Sequence, residues 1–176
     1  IVYTLIVTLE VKYCINMSQF ESSEAPKYNP KDLELFRKDI TSFGLTVQKF
    51  SRKGSPAART LILHKDPLEI SWVGKGGKRN QISLNSVVAV RTGFLPSEGA
   101  TITSEHYPSE VFRKNGVPAN ANLYLSLYVE GDEAGGRTTF DVQTGSPSET
   151  KKLHAILMEI CPNVVAASQV LVEFPS

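Results

Sequence analysis

Residues 44–91 alternate apolar and polar side chains with a period of two, in short runs joined by hairpin-length links, and this rhythm constrains the fold more than any other feature. Leu68-Glu-Ile-Ser-Trp-Val73 is the cleanest case, with Leu68, Ile70 and Trp72 on one side and Glu69, Ser71 and Val73 on the other. Gly44–Phe50 does the same, setting Leu45 and Val47 against Thr46, Gln48 and Phe50. Thr60–His64 makes a second strand, turned into the third by Lys65-Asp66-Pro67, and Gln81–Arg91 a fourth with a bend near Asn85. Ser51–Ala58 is a turn-rich connection and Gly74–Asn80 a glycine-rich one. Leu123–Val129 and Arg137–Gln143 form two more strands around a turn at Asp132–Gly136. Strands in such close succession predict an antiparallel meander.

Two helices frame this meander. Ser146 is a good N-cap, Pro147 suits the first helical position and Glu149 completes a Ser-x-x-Glu capping box. Leu153, Ile156, Leu157 and Ile160 then fall at i, i+3, i+4 and i+7, one apolar face to lay on a sheet, and Pro162 ends the helix. Upstream, Asn29-Pro30 opens a shorter helix in which Leu33, Phe36, Ile40 and Phe43 form one stripe, with Gly44 as its stop. The connection 94–121 is polar and carries Pro96, Pro108 and Pro118. A link of that length in a compact domain is functional or partly structured. The expected fold is therefore mainly β: a twisted antiparallel barrel of about seven strands, plugged by one C-terminal helix and preceded by a short amphipathic one.

The organisation that follows is an N-terminal extension and linker over 1–32, the folded domain over 33–161 and a tail over 162–176. Residues 1–9 are strongly apolar, but a membrane span needs about 20 such residues, and the flanks of a signal peptide are missing. The run reads as an extra strand or as the end of a longer segment, and Met17 is a third option for the native start. Cys14 and Cys161 have no metal-ligand or redox spacing and suit a reducing compartment.

The chain's net charge is only +1, but the charge is unevenly spread. Residues 44–93 hold nine basic side chains against two acidic ones, a balance of +7, leaving ten basic and sixteen acidic groups elsewhere. Such a division points to an anionic partner for one face.

The order of elements, and particular residues within it, resembles the pleckstrin-homology (PH) domain. The segments that carry the likeness are Gly44-Leu-Thr-Val-Gln-Lys49, Arg52-Lys-Gly-Ser-Pro56, Leu68-Glu-Ile-Ser-Trp72 and Ile82-Ser-Leu-Asn-Ser-Val-Val-Ala-Val-Arg-Thr-Gly93. The last is similar to the I-x-L-x-x-I-x-x-V-R-x-G run of the version found in phosphoinositide-specific phospholipases C and in plant PH-FYVE proteins. Val111-Phe-Arg-Lys and Val117-Pro118 before Leu123-Tyr-Leu-Ser-Leu resemble the same subgroup, so the likeness spans about residues 44–161. One departure is Leu153, where the family's final helix carries a core Trp.

The resemblance implies a non-catalytic module that needs no cofactor and binds phosphoinositides or other anionic lipids at a cytoplasmic membrane surface. The headgroup would sit between the first-to-second and third-to-fourth strand loops. The residues so placed are Lys49, Arg52, Lys53 and Arg59 from the first pair of strands, and Lys75, Lys78 and Arg79 from the second. Lys49 and Arg59 stand where the family's headgroup-binding Lys and Arg are found. Arg forks grip phosphate in pairs of bonds and Lys supplies a point charge. The alternative is a protein-docking adaptor, which would take a peptide between a sheet edge and the C-terminal helix or use the 94–121 loop.

Other chemistries find little support. His64, His106 and His154 are scattered over a strand, a loop and a helix without catalytic or metal spacing, and His154 reads as a surface residue. Gly74-Lys-Gly-Gly-Lys78 lacks both the G-x-x-x-x-G-K-[ST] pattern and a following helix. Nucleic acid ranks third as a partner, because aromatic side chains are not interleaved with the basic ones.

Overall fold

The computed structural model describes residues 28–51, 53, 55–130 and 138–164. Among the described residues the first element is helix α1 (Pro30–Ser42), capped by the Asn29 side chain, which accepts a hydrogen bond from the Lys31 amide at 3.1 Å. It stops at Gly44, whose φ of 82° suits glycine. A Cβ at Gly44 would also run into the Thr60 methyl group and lie 2.9 Å from the Leu61 carbonyl oxygen.

Seven strands follow: β1 (Leu45–Phe50), β2 (Pro56–Lys65), β3 (Leu68–Val73), β4 (Arg79–Ser83), β5 (Val87–Thr92), β6 (Tyr124–Val129) and β7 (Thr139–Gln143). All pairings are antiparallel, in the order β4-β3-β2-β1-β7-β6-β5. The fourth sequence run is thus two strands, separated by a 3₁₀ turn at Leu84–Ser86, where the expected bend near Asn85 falls. Leu84 is completely buried and the Ser83 hydroxyl accepts from the Asn85 amide at 3.3 Å. This turn carries the chain from one edge of the sheet to the other without pairing β4 to β5. The sheet is consequently open, not the closed barrel expected from the sequence; its architecture is otherwise PH-like, with seven antiparallel strands and one C-terminal helix.

Strand β2 changes partner along its length. Pro56–Leu61 pairs with β1, whereas Ile62–Lys65 pairs with β3, whose own far end goes on to pair with β4 up to Val73↔Arg79. Beyond Ile62↔Ser71 the two strands part, and the sheet splits.

The inner face of the sheet collects Leu45, Val47, Leu61, Leu63, Ile70, Ile82, Leu125, Leu127, Phe140 and Val142 into one core, as strand alternation requires. Helix α3 (Pro147–Ile160) closes it with Leu153, Ile156 and Leu157. Its cap is as read: the Ser146 hydroxyl accepts from the Glu149 amide at 3.2 Å, while the Glu149 carboxylate reaches back one residue further, to the Gly145 amide at 2.9 Å. Helix α1 packs on β2 and α3 through Leu33, Phe36 and Ile40, and Arg37 pairs with Glu159 at 2.6 Å. Phe43 is not part of that stripe. As the C-cap it turns out of the helix and is 80% exposed.

The long 94–121 connection folds over the outer face of β6 and β7. Helix α2 (Glu110–Asn115) and flanking 3₁₀ turns bring Phe112 onto Tyr124, with ring centroids 4.0 Å apart, and edge-on to Phe50 at 4.8 Å. Under it, Asp141 is completely buried and accepts from the hydroxyls of Ser109, Ser126 and Thr139 at 2.6–2.8 Å. The Tyr128 hydroxyl donates to the Pro108 carbonyl at 2.8 Å. Burial of Asp141 and Tyr128 thus depends on a segment far away in sequence, where each finds a partner.

Phe112→Ala is expected to destabilise the fold by about 3–5 kcal/mol, the usual cost of deleting a fully buried aromatic ring. Phe43→Ala should stay within about 0.5 kcal/mol, as for an exposed side chain. Urea unfolding of the two variants measures both; equal losses would contradict the packing described.

Candidate functional site

The sheet alternation decides which basic side chains meet. Lys49 follows Leu45 and Val47 on the inward face of β1, and Arg59 lies opposite Val47 on β2, hence on the same face and diagonal to Lys49. Both line a cavity of about 190 Å³ at the mouth of the fold, with Ser51 and Ser55 from the β1–β2 connection and Gly74 and Asn80 from the base of the β3–β4 loop. Trp72 forms its wall. The Lys49 ammonium sits 5.1 Å from the Trp72 ring centre and 5.2 Å from that of Phe140, a cation–π arrangement that holds the charge at the cavity. Arg59 donates to the Ala58 carbonyl at 2.6 Å.

The β3–β4 loop is built to stay tight. Gly76 and Gly77 have φ of 76° and 80°, and a Cβ would meet nothing at either, so the backbone conformation alone asks for glycine. The Lys78 carbonyl accepts from both the Gly74 amide at 2.7 Å and the Asn80 side chain at 3.0 Å. Lys75 and Lys78 are exposed on this loop, and Lys53 on the β1–β2 turn.

Arg79 goes elsewhere. It lies opposite Val73, on the outer face of the sheet, and its guanidinium donates to the Glu69 carboxylate at 2.6 Å. Glu69 is almost fully buried beneath it, and beside them His64 shares a 2.8 Å hydrogen bond with Ser71. Of the seven basic residues read from the sequence, then, Lys49 and Arg59 converge. Lys53, Lys75 and Lys78 stand exposed on the two loops, Arg79 is on the opposite face, and Arg52 lies outside the described residues. Sequence reasoning missed Asn80, which pairs with Trp72 and so faces the same cavity. Its signal was its position two residues before inward-facing Ile82.

The groove between β5 and the C-terminal helix is occupied. The α3 side chain His154 reaches the Val90 backbone, and Asn163 donates to the Asn85 carbonyl at 2.7 Å. His154 is therefore packed, not a surface residue, and burial holds its imidazole below the ordinary pKa despite the opposing effect of the Val90 hydrogen bond. Burial likewise pushes the Cys161 thiol up to about 12, so it acts as a small apolar side chain; Cys14 lies outside the described residues. Among the described residues, no three His, Cys, Asp or Glu side chains are grouped to hold a metal ion, and no helix is long and apolar enough to cross a membrane.

No protein-family model matches the chain, and no curated protein matches it in sequence. Among solved structures it is similar to two Inner Membrane Complex sub-compartment proteins of Toxoplasma gondii. ISP3 superposes at 10% identity and a TM-score of 0.52, over 81% of this chain and 90% of that one. ISP1 does so at 12% identity and a TM-score of 0.55, over 78% and 97%. The PH domain of TgAPH aligns over 75% of this chain and 93% of its own, at 14% identity and a TM-score of 0.42. At such identities the likeness concerns the fold alone.

Two measurements check this geometry. Arg79→Ala should cost about 1–3 kcal/mol, because it leaves the buried Glu69 carboxylate without its donor; no loss in urea unfolding would mean that Glu69 is solvated. Because the folded state resists protonating His154, the unfolded chain binds the extra proton first, and stability falls as pH drops below about 6.5. Between pH 7.5 and 5.5 the His154→Gln variant should lose less stability than the parent, and an identical pH profile would refute the packed imidazole.

Proposed function

We propose that this module binds anionic phospholipid headgroups, phosphoinositides among them, and docks on a membrane surface through the β1–β2 and β3–β4 loops without performing chemistry. One observation carries the reading: Lys49 and Arg59, from neighbouring strands, line one cavity with the amide side chain of Asn80, directly beneath the loops bearing Lys53, Lys75 and Lys78. A phosphate needs several converging donors, and a guanidinium fork, an ammonium and an amide supply them. Each basic side chain near an anionic leaflet contributes about 1 kcal/mol. Five therefore favour attachment by on the order of 5 kcal/mol, enough for reversible docking and little more. Cytoplasmic leaflets are the anionic surfaces that such a charge pattern fits.

The likeness of Ile82–Gly93 to the phospholipase C and plant PH-FYVE subgroup supports the same reading. A peptide added between sheet edge and helix has less support, since α3, His154 and Asn163 already occupy the edge of β5. Nucleic acid is the weakest candidate, because aromatic side chains are not interleaved with the basic ones.

Co-sedimentation with liposomes of neutral lipid, with and without phosphatidylserine or phosphoinositides, tests the proposal. Binding is expected only to acidic liposomes and should fade between 0.1 and 0.5 M salt, as the screening length falls from about 10 Å. The double variant Lys49→Ala, Lys78→Ala should bind at least tenfold more weakly. Absence of salt-sensitive binding, or full binding by the folded double variant, would overturn it.

A further inference from the structure

The parting of β2 from β3 opens a second cleft, on the opposite face of the sheet. It encloses about 550 Å³ between Thr46 and Thr60 on one side and Ser71 and Val73 on the other, with Arg79 at one end. Volumes of roughly 300–1,000 Å³ are typical of small-molecule sites. Ile62, Ala58 and Val73 make the lining largely apolar, with Trp72 at its border, and Val73 is 60% exposed among the described residues. Hydroxyls of Thr46, Thr60 and Ser71 and the imidazole of His64 are the polar groups between the two guanidiniums. Few convergent polar groups on an apolar floor are the usual composition of a ligand cleft.

Charge narrows the ligand. Arg59 and Arg79 bring two positive charges and Glu69 returns one negative, held on Arg79 at 2.6 Å. These three side chains together leave one net positive charge, against an apolar wall. A polyphosphate would gain too little here and an uncharged lipid would leave the cation unused. We infer that this outer cleft is a separate binding site for an amphiphile of single negative charge, an apolar chain ending in a carboxylate or a phosphodiester. Arg59 supplies the unbalanced charge, and Arg79, whose pairing with Glu69 fixes the direction of its guanidinium, adds donor nitrogens on a side chain 58% exposed. Ile62 and Val73 take the chain. The cleft shares Arg59 and Trp72 with the headgroup cavity, but Lys49 lines that cavity alone.

Amide NMR shifts of the full chain during titration test this, using four probes kept below their micelle concentrations: decanoate, dihexanoylphosphatidylglycerol, uncharged decanol and inositol hexakisphosphate. Decanoate, the phosphatidylglycerol or both should move the amides of Thr60, Ile62, Ser71 and Val73; decanoate alone identifies a free carboxylate, the phospholipid alone a lipid headgroup, and both the shared chemistry. Decanol should bind at least tenfold more weakly. Val73→Glu, on an exposed position, should weaken binding at least tenfold with an unchanged melting temperature, and Ala58→Glu gives the same reading should Val73→Glu lower it. Lys49→Ala should leave the affinity within twofold. Shifts from neither anion, equal shifts from decanol, or loss of binding in Lys49→Ala with none in the glutamate variants would overturn the assignment. Inositol hexakisphosphate reports on Lys49 and its neighbours, so failure of the headgroup site is read separately.

Discussion

The change of partner along β2 is the constraint on which the rest of this molecule depends. A strand has two hydrogen-bonding edges, and β2 uses one for β1 over its first six residues and the other for β3 over its last four. Where neither neighbour spans both halves, the sheet must splay. The right-handed twist of adjacent strands widens that splay at the ends. Trp72 and Arg59 border the gap on both faces, and each cleft described above is one side of the same parting.

What keeps a split sheet stable is cover on both faces. Helices α1 and α3 seal the inner core, and the 94–121 segment seals the outer face of β6 and β7. That second cover is held by polar bonds as much as by apolar area. Asp141 gathers three hydroxyls, one of them, Ser109, from the covering segment itself. A buried carboxylate is tolerable only with donors around it, so the serine and the aspartate require each other. The aromatic trio of Phe50, Phe112 and Tyr124 then ties the cover to the end of β1, next to the basic loop.

Local rhythm explains how much of this was legible. Alternation in Leu68–Val73 and the capping pattern around Ser146 are properties of a few adjacent residues, and those elements stand where they were read. Lys49 and Arg59 were legible as a pair only through the family resemblance; the β1–β2 register is what sets them on one face. Non-local matters were not. The faces of Arg79 and Asn80 depend on the register across a five-residue loop containing a 3₁₀ turn, and no alternation runs through such a loop. Phe43 keeps helical spacing, yet the helix has ended by the time it is reached. His154 has a polar side chain beside core Leu153, and nothing nearby in sequence says that β5 lies against it. The open sheet follows from a three-residue turn at Leu84, which sequence periodicity reads as one bent strand.

The charge division takes on meaning when laid on the fold. The basic stretch 44–93 is strands β1 to β5, while acidic residues such as Asp32, Glu34, Glu110, Glu149 and Glu159 sit on the helices. Within the basic half the positive charges are not equivalent. Arg91 lies over the Tyr128 ring at 4.7 Å and Arg79 holds Glu69, so both are engaged on outer faces. Lys49 is held between two aromatic rings, where a cation keeps its charge while losing part of its water. A partly desolvated ammonium at the floor of a cavity attracts an incoming anion more strongly than a fully hydrated one on a loop, because fewer intervening waters screen it. In the headgroup-binding reading proposed above, the exposed loop lysines would guide an anion in and Lys49 with Arg59 would set where it stops.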